Sequence, residues 1–460
     1  MKKLFFLFPC MMIAVQMYSQ SIAEKLKTAT NILQKDTSLA HAILSLYVAD
    51  SKTGKQVFAL NEETGLAPAS TQKIFTAIAA YDMLGKNFSY RTTVSYSGEI
   101  KNHALNGSLI IKGFGDPTLG SWRYANTKPE QVANGLMAAL KKEGIEKING
   151  DIIIDNSAFE YQPLPGGWIW DDIGNYYGAG TWAVNWRENQ YDMLLRPGKK
   201  YGDTTELMET RPALANSSFK NYITTAGQNA DDNGYIYLSP YATNGFTQGS
   251  IPSKGSVFTI SGSIPDPAEQ LKFELKNMLK ENGIVVDGDT SFNQKNIKTF
   301  YTHYSPSLDS IIYFFLQKSI NLYGEALLKT MAYNKNNSGS TAGGVDVLKN
   351  FWLQHDIENS ALNIGDGSGL SPQNRVTTHA MVQAMLYAKK QEWFSSFYNA
   401  LPIYNGIKMK SGSISNVKAY TGYYSSSSGQ DYTFAIIVNN YSCSDGAVIK
   451  KLYGVLDKMR

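Results

Sequence analysis

The chain has 460 residues, of which 43% are hydrophobic and 18% charged. This length exceeds one ordinary hydrophobic core and predicts two or three folded domains rather than a disordered chain. The formal net charge is only +4 and no basic stripe is present, so a nucleic-acid partner is not expected.

Residues 1–19 have the pattern of a secretory signal. Lys2 and Lys3 precede an apolar stretch, small or polar residues follow, and cleavage is expected at the end of this range. The apolar stretch is too short for a membrane-spanning helix. Cys10 lies within it, so Cys443 would be the only cysteine of the mature chain. The sequence therefore predicts an exported protein of the periplasm or cell envelope, without an internal disulfide.

Two predicted strands lead to the first helix of interest. Residues 21–36 have the apolar spacing of a helix, and the runs 42–48 and 56–60 resemble strands joined by a tight turn. The stretch Ala67–Lys73 follows and opens an apolar, alanine-rich helix that is predicted to end near Gly85.

Ser70 and Lys73 lie three residues apart, on one face of this helix. A hydroxyl is a poor nucleophile without a nearby base, and a lysine desolvated by apolar neighbours can lose its proton and act as that base. The helix N-terminus also offers unpaired N–H groups for an oxyanion. Because Ser-x-x-Lys alone is also typical of an ordinary helix start, the hypothesis of an active-site serine needs further residues.

The character of the sequence changes from about residue 92. Helices are predicted at 129–143 and 268–281, and the stretch 161–260 is rich in loops and strands. The glycine-rich turn Gly113–Pro117 lacks the Gly-Lys-Ser/Thr of a phosphate loop and carries no nucleotide prediction. We interpret an aromatic cluster in the loop-rich stretch as a satellite core rather than a ligand platform. Its members are Trp168, Trp170, Tyr176, Tyr177, Trp182 and Trp186.

Helical periodicity returns at Leu308–Tyr333 and predicts one long helix. Three strands and a closing helix are then predicted at 406–410, 419–424, 432–438 and 447–459. The predicted fold class is α/β (α+β), in several domains with an antiparallel sheet.

The two ends of the chain are predicted to form one domain. Residues 20–91 and 300–460 supply its strands and helices, and residues 92–299 form an inserted, β-rich region of two small domains, one nested in the other. Such an insertion is tolerated because closing a longer surface loop costs little additional free energy.

Two further motifs complete a candidate site. Ser319-Ile320-Asn321 lies on the predicted long helix, and Lys410-Ser411-Gly412-Ser413 lies on a predicted edge strand. A second hydroxyl could relay protons, the asparagine amide could hold the base or a substrate amide, and a lysine could bind a carboxylate. Gly412 would let a substrate backbone approach the strand. The ordered combination is much more specific than any one motif.

With these motifs the sequence resembles the penicillin-recognising serine enzymes, and among them the class C low-molecular-mass penicillin-binding proteins of the penicillin-binding protein 4 type. These are D-alanyl-D-alanine carboxypeptidases and endopeptidases. The long separation of Lys73 from Ser319 exceeds that of compact β-lactamases and fits the domains inserted in this family. Further stretches look like family signatures: Gly113–Leu119, Asp171–Ala179 and Asp366–Ser371.

The resemblance implies a penicillin-binding/serine β-lactamase-like transpeptidase domain and a role for each motif residue. Ser70 would attack the carbonyl between two D-alanines, with Lys73 as base. Ser319 would pass a proton to the leaving amine with help from Lys410. The remaining implied roles are substrate amide binding by Asn321, carboxylate binding by Ser411 with Lys410, approach of the substrate at Gly412, and an oxyanion hole from the N–H groups of Ser70 and Ser413.

The resemblance also implies peptidoglycan stem peptides as substrates and β-lactams as covalent inhibitors, with a homodimer left open. No metal or other cofactor is expected, because no cluster of residues has metal-ligand spacing. The tight turn at Asp366–Ser371 is expected to pack beside the site rather than to act chemically. Two alternatives are a serine β-lactamase or esterase with the same groups, and a catalytically silent cell-wall binding protein. A long-lived penicillin adduct would argue against the first, and release of D-alanine against the second.

Overall fold

The structure, a computed structural model, describes residues 21–288, 296–427 and 429–460. The signal predicted at residues 1–19 lies outside the described residues. Among those that are described, none of the helices combines the length and apolar character needed to cross a bilayer.

The first segment delivers the chain to Ser70. Its elements are α1 (Ile22–Gln34), β1 (Ile43–Asp50), β2 (Gln56–Leu60) and α2 (Lys73–Leu84). Ser21 caps α1 by accepting a hydrogen bond from the Glu24 N–H, and the Glu24 carboxylate accepts one from the Ser21 N–H in return. A 3₁₀ turn at Ala69–Gln72 opens α2, which ends at Gly85 with φ of +80°. These elements agree with the prediction.

The middle of the chain forms short strands with two long helices. The elements are β3 (Arg91–Tyr96), β4 (Glu99–Lys101), β5 (Ala104–Asn106), β6 (Leu109–Gly113), α3 (Pro129–Glu143), β7 (Lys147–Ile148), β8 (Ile152–Asp155), α4 (Trp170–Ile173), β9 (Gln190–Arg196), β10 (Glu206–Arg211), β11 (Ser218–Ala226), β12 (Asn233–Tyr237), β13 (Asn244–Pro252), β14 (Phe258–Ser263), α5 (Pro267–Glu281), β15 (Val285–Val286) and β16 (Lys298–Tyr304). The helices predicted at 129–143 and 268–281 are confirmed as α3 and α5, and α3 has the boundaries expected from the sequence.

These middle strands enclose two separate cores. Two four-stranded sheets, of order β16-β3-β6-β8 and β15-β7-β5-β4, share a core with α3 and α5. Two three-stranded sheets, of order β10-β9-β14 and β11-β13-β12, enclose the second core. The strands of the second core, β9 to β14, lie in sequence between those of the first core, β3 to β8 and β15 to β16. The exact boundaries of the inserted domains stay a prediction.

The last segment supplies most of the remaining helices and the principal sheet. Its elements are α6 (Leu308–Gln317), α7 (Asn321–Asn336), α8 (Thr341–Leu353), β17 (Leu362–Asn363), β18 (Arg375–Val376), α9 (Thr378–Lys389), α10 (Phe394–Ala400), β19 (Ile403–Tyr404), β20 (Ile407–Ile414), β21 (Val417–Ser425), β22 (Asp431–Asn439) and α11 (Asp445–Leu456). The helix α10 has no counterpart in the prediction.

A six-stranded antiparallel sheet joins the two ends of the chain. Its strand order is β19-β20-β21-β22-β1-β2, so β1 from the start pairs with β22 from the end. Alternation along β22 sends Phe434 and Ile436 to a core with α1 and α11, and Ala435 and Ile437 to a core with α2 and α6 to α9. The helix α2 is thus buried on nearly all sides, which its apolar sequence predicted.

The prediction of one long helix over Leu308–Tyr333 is wrong at one place. The structure breaks it at residues 318–320, between α6 and α7. Ser319 has φ of +57°, a left-handed conformation that ends one helix and starts the next. The prediction that Ser319 lies within a helix is therefore wrong, and the break turns its side chain toward Lys410, with which it forms a hydrogen bond.

Candidate active site

Ser70 lies in the 3₁₀ turn before α2 and lines a cleft of about 820 Å³. Lys73 follows one turn later and is fully buried. Its Nζ lies 2.9 Å from Ser70 Oγ and also donates hydrogen bonds to Asn321 Oδ1 at 2.6 Å and to the Ser368 carbonyl at 2.7 Å. The amine is therefore held in place against the hydroxyl by groups from two distant parts of the chain.

Burial changes the proton affinity of Lys73. It lowers the pKa of this amine from 10.5 to about 7, against the opposing effect of the negative charges at Asp366 and Glu325. A large fraction of the amine is then free near neutral pH, and a free amine 2.9 Å from a hydroxyl can take its proton.

A second lysine and serine form a matching pair across the cleft. Lys410 Nζ donates to Ser319 Oγ at 3.0 Å and to the Ser411 carbonyl at 2.7 Å. Burial, assisted by the positive charge of Lys73, lowers the pKa of Lys410 well below its usual range. The two amines therefore share one low-dielectric site, where each makes protonation of the other less favourable.

Asn321 links the base to the inserted region. Its Oδ1 accepts from Lys73, and its Nδ2 donates to the backbone carbonyl of Tyr177 at 2.8 Å. Both ends of the amide are thus engaged within the protein. The structure thus places Asn321 against Lys73, the candidate base, and binding of a substrate amide by Asn321 stays a prediction.

The strand β20 carries Lys410, Ser411, Gly412 and Ser413 along the cleft. The prediction of an edge strand is correct only in part, because the two-residue strand β19 pairs with the start of β20 and leaves the rest of that edge unpaired. Ser413 lines the same cleft as Ser70.

Gly412 is required by the packing of the protein itself. A Cβ atom at this position would lie 2.5 Å from the Pro68 carbonyl oxygen, 2.8 Å from the Thr71 nitrogen and 3.0 Å from the Ser70 nitrogen. Glycine therefore lets β20 lie directly against the turn that carries the candidate nucleophile. A role for Gly412 in admitting the substrate stays a prediction.

The turn at Asp366–Ser371 packs beside the site, as expected. The buried carboxylate of Asp366 accepts hydrogen bonds from Gln72 Nε2 at 2.9 Å and Trp168 Nε1 at 3.0 Å. This turn also presents the Ser368 carbonyl to Lys73. Its tight geometry thus sets the position of the base.

Sequence reasoning missed Glu325. It lies one turn after Asn321 on α7, is fully buried, and has both carboxylate oxygens 3.1 Å from the Gly367 nitrogen. Burial, with the charge of Asp366, raises the pKa of Glu325 to about 8. The available signal was an acidic residue four positions after Asn321 in an otherwise apolar helical stretch.

The aromatic cluster is divided between two environments. Trp168, Trp182 and Trp186 are buried, as a satellite core requires, whereas Trp170 is 48% exposed. Tyr176 and Tyr177 instead line the cleft, and Tyr176 is 54% exposed. The interpretation of the whole cluster as core is therefore wrong, because the short helix and turn around residues 170–178 place these two rings at the cleft wall rather than beneath it.

Within the described ranges, no group of three or more histidine, cysteine, aspartate or glutamate residues is arranged to hold a metal ion. The arrangement around Ser70 consists of a hydroxyl, two buried amines, a second hydroxyl and an amide, and this set of groups can perform acyl transfer with general acid–base assistance.

Comparison with known proteins gives a consistent result over most of the chain. The sequence profile described as the D-Ala-D-Ala carboxypeptidase 3 (S13) family matches residues 26–458. The chain is 26% identical over 422 residues to D-alanyl-D-alanine carboxypeptidase DacB of Haemophilus influenzae, covering 87% of this chain and 86% of that protein. It is 23% identical over 452 residues to D-alanyl-D-alanine carboxypeptidase of Actinomadura sp., covering 91% and 81%.

Solved structures show the same fold. The crystal structure of penicillin binding protein 4 (dacB) from Haemophilus influenzae superposes with a TM-score of 0.77 at 24% identity, covering 91% of this chain and 94% of that one. The structure of that protein complexed with a β-lactam gives a TM-score of 0.74 at 22% identity and covers 94% and 99%.

Proposed function

The chain belongs to the D-Ala-D-Ala carboxypeptidase 3 (S13) family, and from this membership we propose how each residue of the cleft contributes to the reaction. The protein is a serine-type D-Ala-D-Ala carboxypeptidase. The observation that carries the assignment of the nucleophile is the 2.9 Å separation between Ser70 Oγ and the fully buried amine of Lys73.

Acylation begins when the free amine of Lys73 takes the proton of Ser70 Oγ. The oxygen attacks the carbonyl carbon between the two D-alanines, and the N–H groups of Ser70 and Ser413 stabilise the oxyanion. The C–N bond then breaks, and Ser319 Oγ gives its proton to the departing amine nitrogen and takes one in return from Lys410, its hydrogen-bond donor. The products of this step are free D-alanine and an ester on Ser70.

Deacylation reverses the roles with water as the nucleophile. Water attacks the ester carbonyl and gives a proton, through Ser319, to the free amine of Lys410, and Lys73 returns its proton to Ser70 Oγ as the peptide acid leaves. Before acylation, the terminal carboxylate of the bound substrate is held by Lys410 and Ser411, which lie on the strand that borders the site.

The substrates proposed are peptidoglycan stem peptides ending in D-Ala-D-Ala, including cross-linked peptides, in which the leaving amine belongs to a second peptide. β-Lactams would acylate Ser70 and remain attached. A carboxypeptidase of the cell wall must meet its substrate outside the cytoplasm, which agrees with the predicted signal at residues 1–19 and with a periplasmic or cell-envelope location. A homodimer stays a prediction.

The test measures D-alanine released from a purified pentapeptide by the wild-type protein and by Ser70→Ala. We expect release by the wild type and a loss of at least about 1000-fold in the variant. Absence of release by the wild type would contradict the proposal. Rapid turnover of a fluorescent penicillin, instead of a stable adduct, would favour the β-lactamase alternative.

A further inference from the structure

One wall of the cleft contains an arginine that the mechanism above does not use. Arg123 and Glu188 both line the cleft that holds Ser70. The Arg123 Nε lies 2.9 and 3.0 Å from the two carboxylate oxygens of Glu188. The Glu188 side chain is only 2% exposed, whereas that of Arg123 is 19% exposed. The pair thus presents the arginine, and not the glutamate, to the cleft.

The carboxylate of Glu188 has further hydrogen-bond donors besides Arg123. Besides Arg123, its Oε1 accepts hydrogen bonds from Ser121 Oγ at 2.6 Å and from Tyr323 Oη at 2.7 Å. Tyr323 lies on α7, two residues after Asn321, so the network joins the inserted region to the helix whose Asn321 accepts a hydrogen bond from Lys73. These neutral donors stabilise the negative charge of Glu188 and hold the carboxylate in place against Arg123.

The backbone that carries Glu188 is strained. Arg187, Glu188 and Asn189 have φ values of +56°, +53° and +50°, a left-handed turn made without glycine. Such a turn costs free energy and persists only where its surroundings hold it. Asn189 provides the restraint, because its Oδ1 accepts from the Trp186 N–H at 2.9 Å and its Nδ2 donates to the Gly180 carbonyl at 2.9 Å.

The outer side of the Arg123 guanidinium has no protein acceptor. Among the described residues, its hydrogen bonds to Glu188 all leave from Nε, and the terminal nitrogens Nη1 and Nη2 donate to no other protein atom. The guanidinium carbon lies 5.1 Å from the Trp122 ring centre and 5.9 Å from that of Phe314. The group is therefore fixed in its plane, with two N–H donors directed away from its protein partner.

We propose that Arg123 binds a carboxylate carried by the stem peptide upstream of its D-Ala-D-Ala end. This inference rests on the proposed function and adds to it the recognition of an acidic peptide on the acyl side of the scissile bond. An immobilised guanidinium with two parallel N–H groups matches a carboxylate in geometry and charge. The strand edge at Ser413 and Ser415 lines the same cleft, so a peptide extended along β20 lies in the space that Arg123 also faces.

The other charged side chains of the cleft limit where the carboxylate can lie. Asp171 and Asp172 line the cleft as well and repel an anion on their side. Burial, with the charge of Asp171, raises the pKa of Asp172 to about 6, so Asp172 still carries a negative charge at neutral pH. Lys318, in the break between α6 and α7, adds a positive charge to the lining. The carboxylate is therefore expected at Arg123 and not beside the aspartates.

The first test compares two pentapeptides with the wild-type protein. Both have a lysine-type stem, L-Ala-γ-D-Glu-L-Lys-D-Ala-D-Ala, in which the glutamyl α-carboxylate is the only upstream carboxylate, and in the second peptide this group is amidated. We expect kcat/KM for D-alanine release to be at least about tenfold higher for the acid. Equal values overturn the inference but leave the carboxypeptidase intact, whereas no release from either peptide contradicts the proposed function instead.

The second test uses variants that leave no buried charge unpaired. Arg123→Met combined with Glu188→Gln removes the pair together, because removing the arginine alone would strand a buried carboxylate. We expect the acid-to-amide ratio to fall to about one. The matched control combines Arg196→Met with Glu206→Gln, which removes an exposed ion pair outside the cleft lining and should keep the ratio. A folded Arg123 variant, shown by labelling with fluorescent penicillin, that retains the wild-type ratio overturns the inference. If the double variant does not fold, equal values for the acid and the amide in the wild type still overturn the inference.

Discussion

Burial suits Lys73 to its proposed role as the base. The amine lies in a fully buried position, and desolvation lowers its pKa to about 7. Because the active form is the free amine, the rate should fall as the amine becomes protonated below this value. We expect kcat/KM for D-alanine release to fall about tenfold for each pH unit below about 6 and to level above about 8.

Lys73→Arg is the matched control for this profile. A guanidinium stays protonated at all accessible pH values, so the variant should lose at least about 100-fold in kcat/KM and show no rise through pH 7. A wild-type profile that is flat from about pH 5 to 8 would show that Lys73 is not the titrating base.

Ser319 combines a strained backbone with a hydroxyl at the site. Its φ of +57° costs about 1–2 kcal/mol for a residue with a Cβ and little for glycine. Ser319→Gly should therefore unfold in urea with a free energy about 1 kcal/mol higher than Ser319→Ala. Both variants lack the hydroxyl that Lys410 contacts, so both should lose about 100-fold in D-alanine release. Equal stability of the two variants would show that the backbone there is not strained.

At the scale of elements, the contact between β20 and the Ser70 turn depends on Gly412. An added Cβ would meet backbone atoms at 2.5 to 3.0 Å, which cannot move aside as a flexible side chain could. Gly412→Ala should therefore lower the free energy of unfolding by about 1–3 kcal/mol and reduce acylation by penicillin, because β20 is pushed away from Ser70.

Gly454→Ala is the control for this variant. Gly454 lies in α11, with no atom within 4 Å of an added Cβ, so alanine should stabilise the protein by up to about 1 kcal/mol and leave acylation unchanged. An acylation rate in Gly412→Ala equal to that of the wild type would exclude the steric account.

The sequence predicted regular elements well but not the break that positions Ser319. Apolar residues continue with helical spacing from Leu308 to Tyr333, so periodicity alone indicates one helix. At the break, Ser319 Oγ accepts a hydrogen bond from the amine of Lys410, which lies on a strand far along the chain. Local patterns do not contain a contact of such long sequence separation.

At the scale of the whole molecule, a buried lysine attaches the inserted region to the catalytic helices. Lys329 on α7 is fully buried, and its Nζ donates to the carbonyls of Gln162 at 2.7 Å and Thr181 at 3.3 Å. Lys329→Met should reduce the free energy of unfolding by about 2–4 kcal/mol, because it leaves the two carbonyl groups without this donor and removes the ion pair with the nearby Glu160.

Lys335→Met provides the comparison on the same helix. Lys335 is exposed, so its replacement should change the free energy of unfolding by less than about 0.5 kcal/mol. Chemical denaturation measures both variants, and limited proteolysis of residues 160–181 should be faster only in Lys329→Met. Equal stability of the two variants would contradict the proposed attachment.

The motifs of the candidate site could be predicted from the sequence, but the contacts that hold its residues in place could not. Ser-x-x-Lys, Ser-x-Asn and Lys-Ser-Gly follow one another in an order that indicates acyl transfer. The turn at Asp366–Ser371 was expected beside the site, but its contact with Lys73 and the burial of Glu325 could not be predicted, because both result from packing between distant parts of the chain. The aromatic residues Tyr176 and Tyr177 were misplaced because composition does not distinguish a cleft wall from a small core.

The most direct test of the central claim locates the covalent bond. The full-length mature protein is incubated with a β-lactam, digested, and analysed by peptide mass spectrometry. The account predicts one modified peptide, containing Ser70, in the wild type, with no modification in Ser70→Ala. An adduct on any other residue, or an equal adduct in Ser70→Ala, would contradict the identification of Ser70 as the nucleophile.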